Sequence, residues 1–297
     1  MPRAPIVSHQ RRLAAVAAIA IAMLVLGCNP QPSPSPSPTP GPTGEATAQA
    51  TTVVHAYFFI GSPNDNGGLL PVERVVPKFE PAGAIERAAL EALLAGPDEA
   101  ELAAKPRIYS VMPEGTRLLS LELGDGGVAT VDLSKEFEAA GSANAKGRLA
   151  QVVFTLTQFP DITDVHFKIA GTPITAFSDA KLPLDPPVDR TDYTDQLPVI
   201  FLDRPTWGAP LGNPAHLIGL ANAFEAQFLV RILDGSGHTI AEQSVMATCG
   251  TGCWGTFDEM IPYSVTSAGP GRVQAYELSE VDASIVSLTD YPVTLNP

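Results

Sequence analysis

Two cysteines in the last third of the chain are the side chains whose spacing most directly implies chemistry. Cys249 and Cys253 enclose Gly250-Thr251-Gly252, and an even pair of cysteines in an exported chain predicts a disulfide. The glycines allow so short a loop to turn tightly. A redox-active pair would be followed by a thioredoxin-like helix, which is lacking, and a metal site needs more ligands than two thiols and His238 supply. We therefore expect a structural disulfide and no metal.

Other patterns with catalytic potential are weak. Ser178-Asp179-Ala180-Lys181 has the Ser-x-x-Lys spacing of serine β-lactamases, but its companion motifs are missing and no helix follows, so we interpret it as a chance match. The sequence contains no GxSxG, HExxH or phosphate-binding glycine loop. The histidines beyond the N-terminal segment are scattered, at His55, His166, His216 and His238. These observations predict a protein that is not an enzyme and uses no cofactor.

Aromatic and acidic residues offer two further candidate contacts. Trp207 lies beside Gly208 and between prolines, which predicts a loop. Trp207 is therefore a candidate contact with a ligand or partner, whereas Trp254 is expected to pack in a core. The segment 181–196 is rich in proline and carries four aspartates, at Asp185, Asp189, Asp192 and Asp195. A cation site would require a fixed geometry, so we expect a flexible, solvated linker there.

The remaining cysteine indicates where the protein is located. The chain begins with the basic stretch MPRAPIVSHQRR and continues with the apolar stretch LAAVAAIAIAMLVLG, which together are typical of a secretory signal peptide. Val25-Leu26-Gly27-Cys28 resembles the bacterial lipobox, although Leu26 stands where Ala or Ser is more usual. The resemblance implies cleavage before Cys28, a diacylglyceryl thioether on its sulfur and an extracytoplasmic protein held at the membrane by lipid. The alternative is a retained N-terminal helix, for which the apolar run is short.

The composition beyond Cys28 describes a spacer and an acidic body. Residues 32–42 alternate proline with Ser, Thr or Gly, which favours extended polyproline II. About 20 such residues, at about 3.1 Å each, would reach about 60 Å from the membrane. The formal net charge of the 297-residue chain is −14 without a block of like charge. That charge argues against nucleic acid as a partner and against a polybasic membrane contact.

The spacing of apolar residues predicts two folded bodies. The first, at 51–180, has an α+β pattern with strands at 53–60, 69–76, 117–123, 128–133 and 165–169 and helices at 84–95 and 149–159, the second of which could also form a strand. The second, at 197–297, has about seven strands and predicts an immunoglobulin-like β-sandwich, with strands at 198–202, 216–221, 225–233, 238–246, 254–261, 272–279 and 284–294.

Several motifs in these bodies resemble known families. GAIERAALEALLAGP, MPEGTRLLSLELGDGGVATVDLSKEF and AQVVFTLTQFPDITDVHFKIAG resemble the GerMN domain of bacterial sporulation and germination proteins. PVIFLDRPTWGAPLGNP, LIGLANAFEAQFLVRILDGSG, CWGTFDEMIPY and YPVTLNP resemble the immunoglobulin-like domain of bacterial spore germination proteins. The resemblance implies an extracytoplasmic module without catalytic residues. The predicted organisation is a signal peptide (1–27), a lipidated Cys28 with its linker (28–50), a GerMN-like domain (51–180), a second linker (181–196) and a β-sandwich (197–297).

The sequence thus predicts a non-catalytic, lipid-anchored envelope protein whose two modules contact proteins or the cell wall, with a link to sporulation or germination. The alternatives are a polysaccharide- or peptidoglycan-binding module and a cryptic envelope hydrolase. An exposed aromatic strip around Trp207 would favour sugar binding, and two facing carboxylates in a cleft would favour a hydrolase. An apolar patch or an open sheet edge would favour protein binding.

Overall fold

The computed structural model describes residues 50–61, 68–78, 83–141 and 143–297. The predicted signal peptide, Cys28 and nearly all of the proline-rich linker lie outside these residues, so their predictions stay predictions. The described residues belong to one compact unit.

The first half of this unit is a mixed α+β region, as expected. Its strands are β1 (Thr51–Ile60), β2 (Leu69–Pro77), β3 (Ile108–Tyr109), β4 (Leu118–Leu123), β5 (Val128–Leu133), β6 (Asp164–Ile169), β7 (Thr172–Pro173), β8 (Ala176–Phe177) and β9 (Leu182–Pro183). Its helices are α1 (Ala84–Ala95), α2 (Glu99–Ala103) and α3 (Ala145–Leu156), with short 3₁₀ turns at Asp125–Gly127 and Lys135–Glu138.

These strands form three sheets. Two have the orders β2-β1-β3 and β4-β5-β6-β7, and the third is the antiparallel pair β8-β9. The strands β4 and β5 pair antiparallel, whereas β5 and β6 run parallel. Parallel neighbours need a long crossover connection, and α3 lies within it. The sequence pattern predicted the helices but not this parallel pairing.

Helix α3 is buried along nearly its whole length, and it contains a charged residue. Arg148 is fully buried, and its guanidinium donates hydrogen bonds to the carbonyl oxygens of Phe137 and Gly141. It also lies 5.0 Å from the centre of the Phe177 ring. Burial lowers the pKa of Arg148. The residue therefore fixes α3 to the turn at 137–141 through carbonyl groups and aromatic faces rather than through an ion pair.

The second half is an all-β sandwich, which confirms the predicted class. Its strands are β10 (Ile200–Arg204), β11 (Pro210–Leu211), β12 (Ala215–Ala221), β13 (Gln227–Asp234), β14 (Thr239–Met246), β15 (Gly255–Ile261), β16 (Gly269–Leu278) and β17 (Ile285–Leu295). They form a three-stranded sheet of order β10-β12-β15 and a five-stranded sheet of order β11-β17-β16-β13-β14. Alternating burial, clearest along β12, places one face of each strand in the space between the sheets.

The two halves share one hydrophobic core rather than two separate ones. Buried residues of both halves belong to a single cluster. At their contact, the ring of Phe154 in α3 meets that of Phe201 in β10 edge-on, with 5.7 Å between ring centres. Because the core is continuous, we expect the halves to stabilise each other.

The segment 181–196 is an ordered connection, which corrects the expectation of a flexible, solvated linker. Leu184, Val188 and Tyr193 are buried, and residues Arg190–Gln196 form a 3₁₀ helix. The Asp189 carboxylate caps that helix by accepting the backbone N–H of Thr191, and the Asp192 carboxylate accepts the backbone N–H of Asp189. These two carboxylates hold local structure because an aspartate at a helix start satisfies otherwise free N–H groups.

Candidate functional site

The junction between the halves is held by a polar cluster around Arg190. Its guanidinium lies 2.9 Å from the Asp203 carboxylate and 2.8 Å from the Thr157 hydroxyl. The Tyr57 hydroxyl donates to the same carboxylate at 2.5 Å, and the guanidinium lies 4.7 Å from the Phe154 ring centre. One arginine therefore joins β1, α3, the connection 181–196 and β10.

The cluster is structural rather than reactive. Burial, followed by the Asp203 charge, raises the pKa of Tyr57 well above its usual range, so Tyr57 stays protonated and acts as a hydrogen-bond donor. Every charge in the cluster has a partner, and its geometry fixes the two halves relative to each other.

Beside this cluster lies a polar cavity of about 450 Å³, which we call the junction cleft. One wall consists of Val53 and His55 of β1 with Glu73 of β2. The other consists of residues around and after the end of β10 together with the start of β12, namely Arg204, Pro205, Thr206, Ala209, Pro210, Leu211, Gly212, Pro214 and His216. The cleft exists because the loop after β10 packs against β2. Its walls carry charged and imidazole side chains from both halves, and it is our candidate site.

Two histidines that are far apart in the sequence line the junction cleft. His55 lies opposite Glu73 in the β1–β2 ladder, and Gln158 binds its backbone N–H and carbonyl. Burial lowers the pKa of His55. His216 lies 2.6 Å from Asp258 on the neighbouring strand β15. These two members of the scattered set line one cavity, which nothing in the local sequence around either residue predicts.

Trp207 lies in the loop that forms one wall of the cleft, although it does not line the cavity itself. Its backbone N–H donates to the Pro71 carbonyl at 3.1 Å and it bridges to Val72 of β2. The side chain is half-buried against the common core. No exposed aromatic strip is formed around it in the described part of the chain. A contact role for Trp207 stays a prediction, and the structure adds a role in docking the loop onto β2.

Cys249 and Cys253 form a disulfide, with 5.8 Å between their Cα atoms. The loop is tightly packed, since a Cβ atom built on Gly250 would lie 2.3 Å from the Ala226 nitrogen. The bond therefore fastens the loop between β14 and β15 near the residues 223–226.

The remaining sequence patterns do not assemble a reactive centre in the described residues. Ser178 and Lys181 lie at the two ends of a turn closed by a hydrogen bond between their backbones at 3.1 Å, not on the helix that a Ser-x-x-Lys motif requires. Across the four described stretches, no group of three or more His, Cys, Asp or Glu side chains is arranged to hold a metal ion.

None of the helices within the described residues is both long enough and apolar enough to cross a bilayer.

A second surface carries exposed apolar side chains and lies at the far end of the β16–β17 hairpin. We define the apolar tip as Leu278, Val281, Ile285, Val286 and Leu288, whose exposed fractions range from 40% to 95%. Phe224, itself 51% exposed, is held beside it because its N–H donates to the Glu277 carboxylate at 2.7 Å. Large apolar side chains grouped on a surface are typical of protein interfaces.

These observations define a class: a mixed α+β domain fused through a common core to an immunoglobulin-like sandwich. Residues 55–175 match the Germane family model, described as sporulation and spore germination. Residues 199–284 match the Gmad2 model, described as the immunoglobulin-like domain of bacterial spore germination. The chain therefore carries a Germane domain followed by a Gmad2 domain, which confirms the resemblance found in its sequence. No curated protein matches the chain.

Solved structures similar to this chain include domains of the same kind. The first GerMN domain of the sporulation protein GerM from Bacillus subtilis is 21% identical, with a TM-score of 0.37, and the match covers 47% of this chain and 98% of that one. The tandem GerMN domains of the same protein are 17% identical, with a TM-score of 0.40 and coverage of 73% and 64%. CopC from Methylosinus trichosporium OB3b is 21% identical, with a TM-score of 0.23 and coverage of 33% and 94%. The assignment rests on the two family models and not on these partial overlaps.

Proposed function

We propose that this chain is a non-catalytic protein of the cell envelope, anchored through lipid on Cys28, that acts in sporulation or germination by binding a partner protein. The families of both domains support the process. The single observation that supports protein binding is the apolar tip. Its side chains are large and exposed and lie along one hairpin, whereas Trp207 offers no open stacking surface and the junction cleft has one carboxylate in its wall, Glu73.

Charge identifies the kind of partner that the apolar tip would bind. Glu277, Glu280 and Asp282 lie in or beside the tip, and the sequence from Val273 to Tyr291 contains no Lys or Arg. An anionic lipid surface would be repelled by these carboxylates. The complementary partner is a protein surface with an apolar centre and Lys or Arg at its rim.

A site-specific photo-crosslinker at Val281 of the full chain tests this proposal in cells. Val75 is the matched control, since it is 71% exposed but lies in β2 of the first half. We expect a defined protein to be crosslinked from position 281 and not from position 75. The purified complex should weaken at least about tenfold in Val281→Asp, because a charge would enter an apolar contact, and should be unaffected by Val75→Asp.

Three results would contradict the proposal. The partner could bind Val281→Asp as well as the unaltered chain, position 281 could crosslink to lipid alone, or the purified protein could hydrolyse peptidoglycan, ester or glycoside substrates in a way that a single substitution abolishes. Unchanged binding of Val281→Asp would show that the apolar tip is not in the interface, and crosslinking to lipid alone would show that the tip contacts the membrane. Hydrolysis abolished by a single substitution would favour the hydrolase alternative.

A further inference from the structure

We propose that the junction cleft is a binding site for a small zwitterion, namely an amino acid or short peptide that carries an ammonium and a carboxylate group. This site is separate from the apolar tip and does not depend on it. Its walls come from both domains, so only the assembled chain contains it.

The first argument is that the cleft presents two opposite charges without partners. Among the described residues, no ion pair or side-chain hydrogen bond engages the carboxylate of Glu73 or the guanidinium of Arg204, although both belong to the cleft walls. Other charged residues near the junction are paired, as Arg190 is with Asp203 and Arg74 with Glu101. Both side chains line the same concave surface, and two unpaired opposite charges there favour a ligand with the complementary pair.

The second argument concerns the other titratable groups in the cleft. Because burial lowers the pKa of His55, its ring is largely neutral at pH 7 and adds a hydrogen-bonding group rather than a charge. The His216 ring is held by Asp258 at 2.6 Å. The free charges of the walls are therefore one anion and one cation. A ligand that was only anionic would be repelled by Glu73, and one that was only cationic would be repelled by Arg204.

The third argument is an unsatisfied polar group in the wall. The Thr206 hydroxyl oxygen is buried and has no hydrogen-bond partner in the described part of the chain. A buried hydroxyl without a partner is costly, and Thr206 lies two residues after Arg204. Thr206 lines the cleft, but its hydroxyl oxygen is covered by protein atoms, so a ligand carboxylate would reach it only after the side chain rotates.

The size of the cleft sets the size of the ligand. About 450 Å³ is in the range of small-molecule sites and accommodates an amino acid or a peptide of two or three residues. The apolar lining includes Pro205, Ala209, Pro210 and Leu211, which would contact the short apolar part of such a ligand.

Calorimetric titration of the full chain in detergent tests the site with defined probes. The probes are alanine, dialanine and trialanine, together with N-acetyl-dialanine, which lacks the ammonium, and dialanine amide, which lacks the carboxylate. We expect at least one of the unmodified probes to bind and each blocked form to bind about tenfold or more weakly, as for the loss of a charged hydrogen bond. Free alanine and the two peptides distinguish an amino-acid site from a peptide-end site.

Single substitutions assign each end of the ligand to one side chain. Arg204→Gln should bind dialanine and dialanine amide equally, because it lacks the guanidinium that would bind the ligand carboxylate. Glu73→Gln should bind dialanine and N-acetyl-dialanine equally, because it lacks the carboxylate that would bind the ligand ammonium. Arg117→Gln and Glu114→Gln are matched controls, since both side chains are exposed outside the cleft, and should behave as the unaltered chain. Arg204→Lys, which keeps the charge, should retain part of the discrimination.

The proposal is overturned if none of the unmodified probes gives saturable binding up to about 10 mM. It is equally overturned if the blocked probes bind as tightly as the unmodified ones, or if Arg204→Gln and Glu73→Gln leave both comparisons unchanged. A loss of partner binding at the apolar tip would not affect these measurements, so the two proposals fail independently.

Discussion

Substitution of Arg190 should show whether the two domains are stabilised as one unit. The Arg190→Met change keeps much of the side-chain volume and its apolar contact with Phe154, but removes the charge and every hydrogen bond of the guanidinium. It leaves the Asp203 carboxylate with the Tyr57 hydroxyl as a remaining donor. It also leaves the Phe154 carbonyl and the Thr157 hydroxyl without their donor from Arg190.

The expected size of the effect follows from the exposure of the pair. Removing one partner of a fully buried ion pair costs about 3–5 kcal/mol. The Arg190 and Asp203 side chains are 23% and 28% exposed, so water can approach the carboxylate that remains. We therefore expect the free energy of unfolding to fall by about 2–3 kcal/mol. Lys146→Met is the matched control in the same region, because Lys146 and Asp195 form an ion pair with side chains 38% and 57% exposed, and its loss should cost at most about 0.5–1 kcal/mol.

Urea unfolding of the full chain, monitored with two spectroscopic probes, measures the loss of stability in each variant and shows whether the two domains unfold together. Trp207 and Trp254 report on the sandwich by fluorescence, whereas far-UV circular dichroism reports on both domains. Because the core is shared, we expect the two signals to change together in the unaltered chain. The reasoning would be refuted by two separated transitions in the unaltered chain, or by an Arg190→Met effect no larger than that of Lys146→Met.

Three further predictions concern single sites. Cys28→Ser should release the protein from the membrane fraction in cells, and a variant that stays as detergent-dependent as the unaltered chain would instead indicate a retained helix. Replacing both Cys249 and Cys253 by Ser should lower the free energy of unfolding by about 2 kcal/mol, the value for closing so short a loop, and a urea midpoint equal to that of the unaltered protein would show that the bond adds nothing. Burial lowers the pKa of His55 below 6.5, so the unfolded chain binds a proton at this position more readily than the folded chain. The free energy of unfolding is therefore unaffected by His55 above pH 6.5 and decreases as the pH falls toward the folded pKa. His55→Gln should flatten this part of the pH dependence of the urea midpoint, and an unchanged slope would exclude His55 as its source.

The sequence by itself determined the local structure well. Alternation of apolar and polar residues located the long strands of the sandwich, and the helical spacing of apolar residues located α1, which ends at Ala95 as predicted. The predicted disulfide needed only two nearby cysteines and a flexible loop. The short helix α2 was missed, although Asp98 and Glu101 form a capping box that can be read from their spacing. Helix α3 begins at Ala145, four residues before its predicted start.

The tertiary structure alone decided how the two domains meet. Segment 181–196 carries the prolines and aspartates that are typical of a solvated linker, yet Arg190 within it contacts Tyr57, 133 residues away. His55 and His216 line one cleft for the same reason, since the loop at Trp207 packs on β2 and the start of β12 lies in the same cavity wall. Patterns within a few residues report secondary structure because backbone periodicity is local. The pairing of distant side chains depends on how whole sheets pack, so it cannot be predicted from the residues around either side chain.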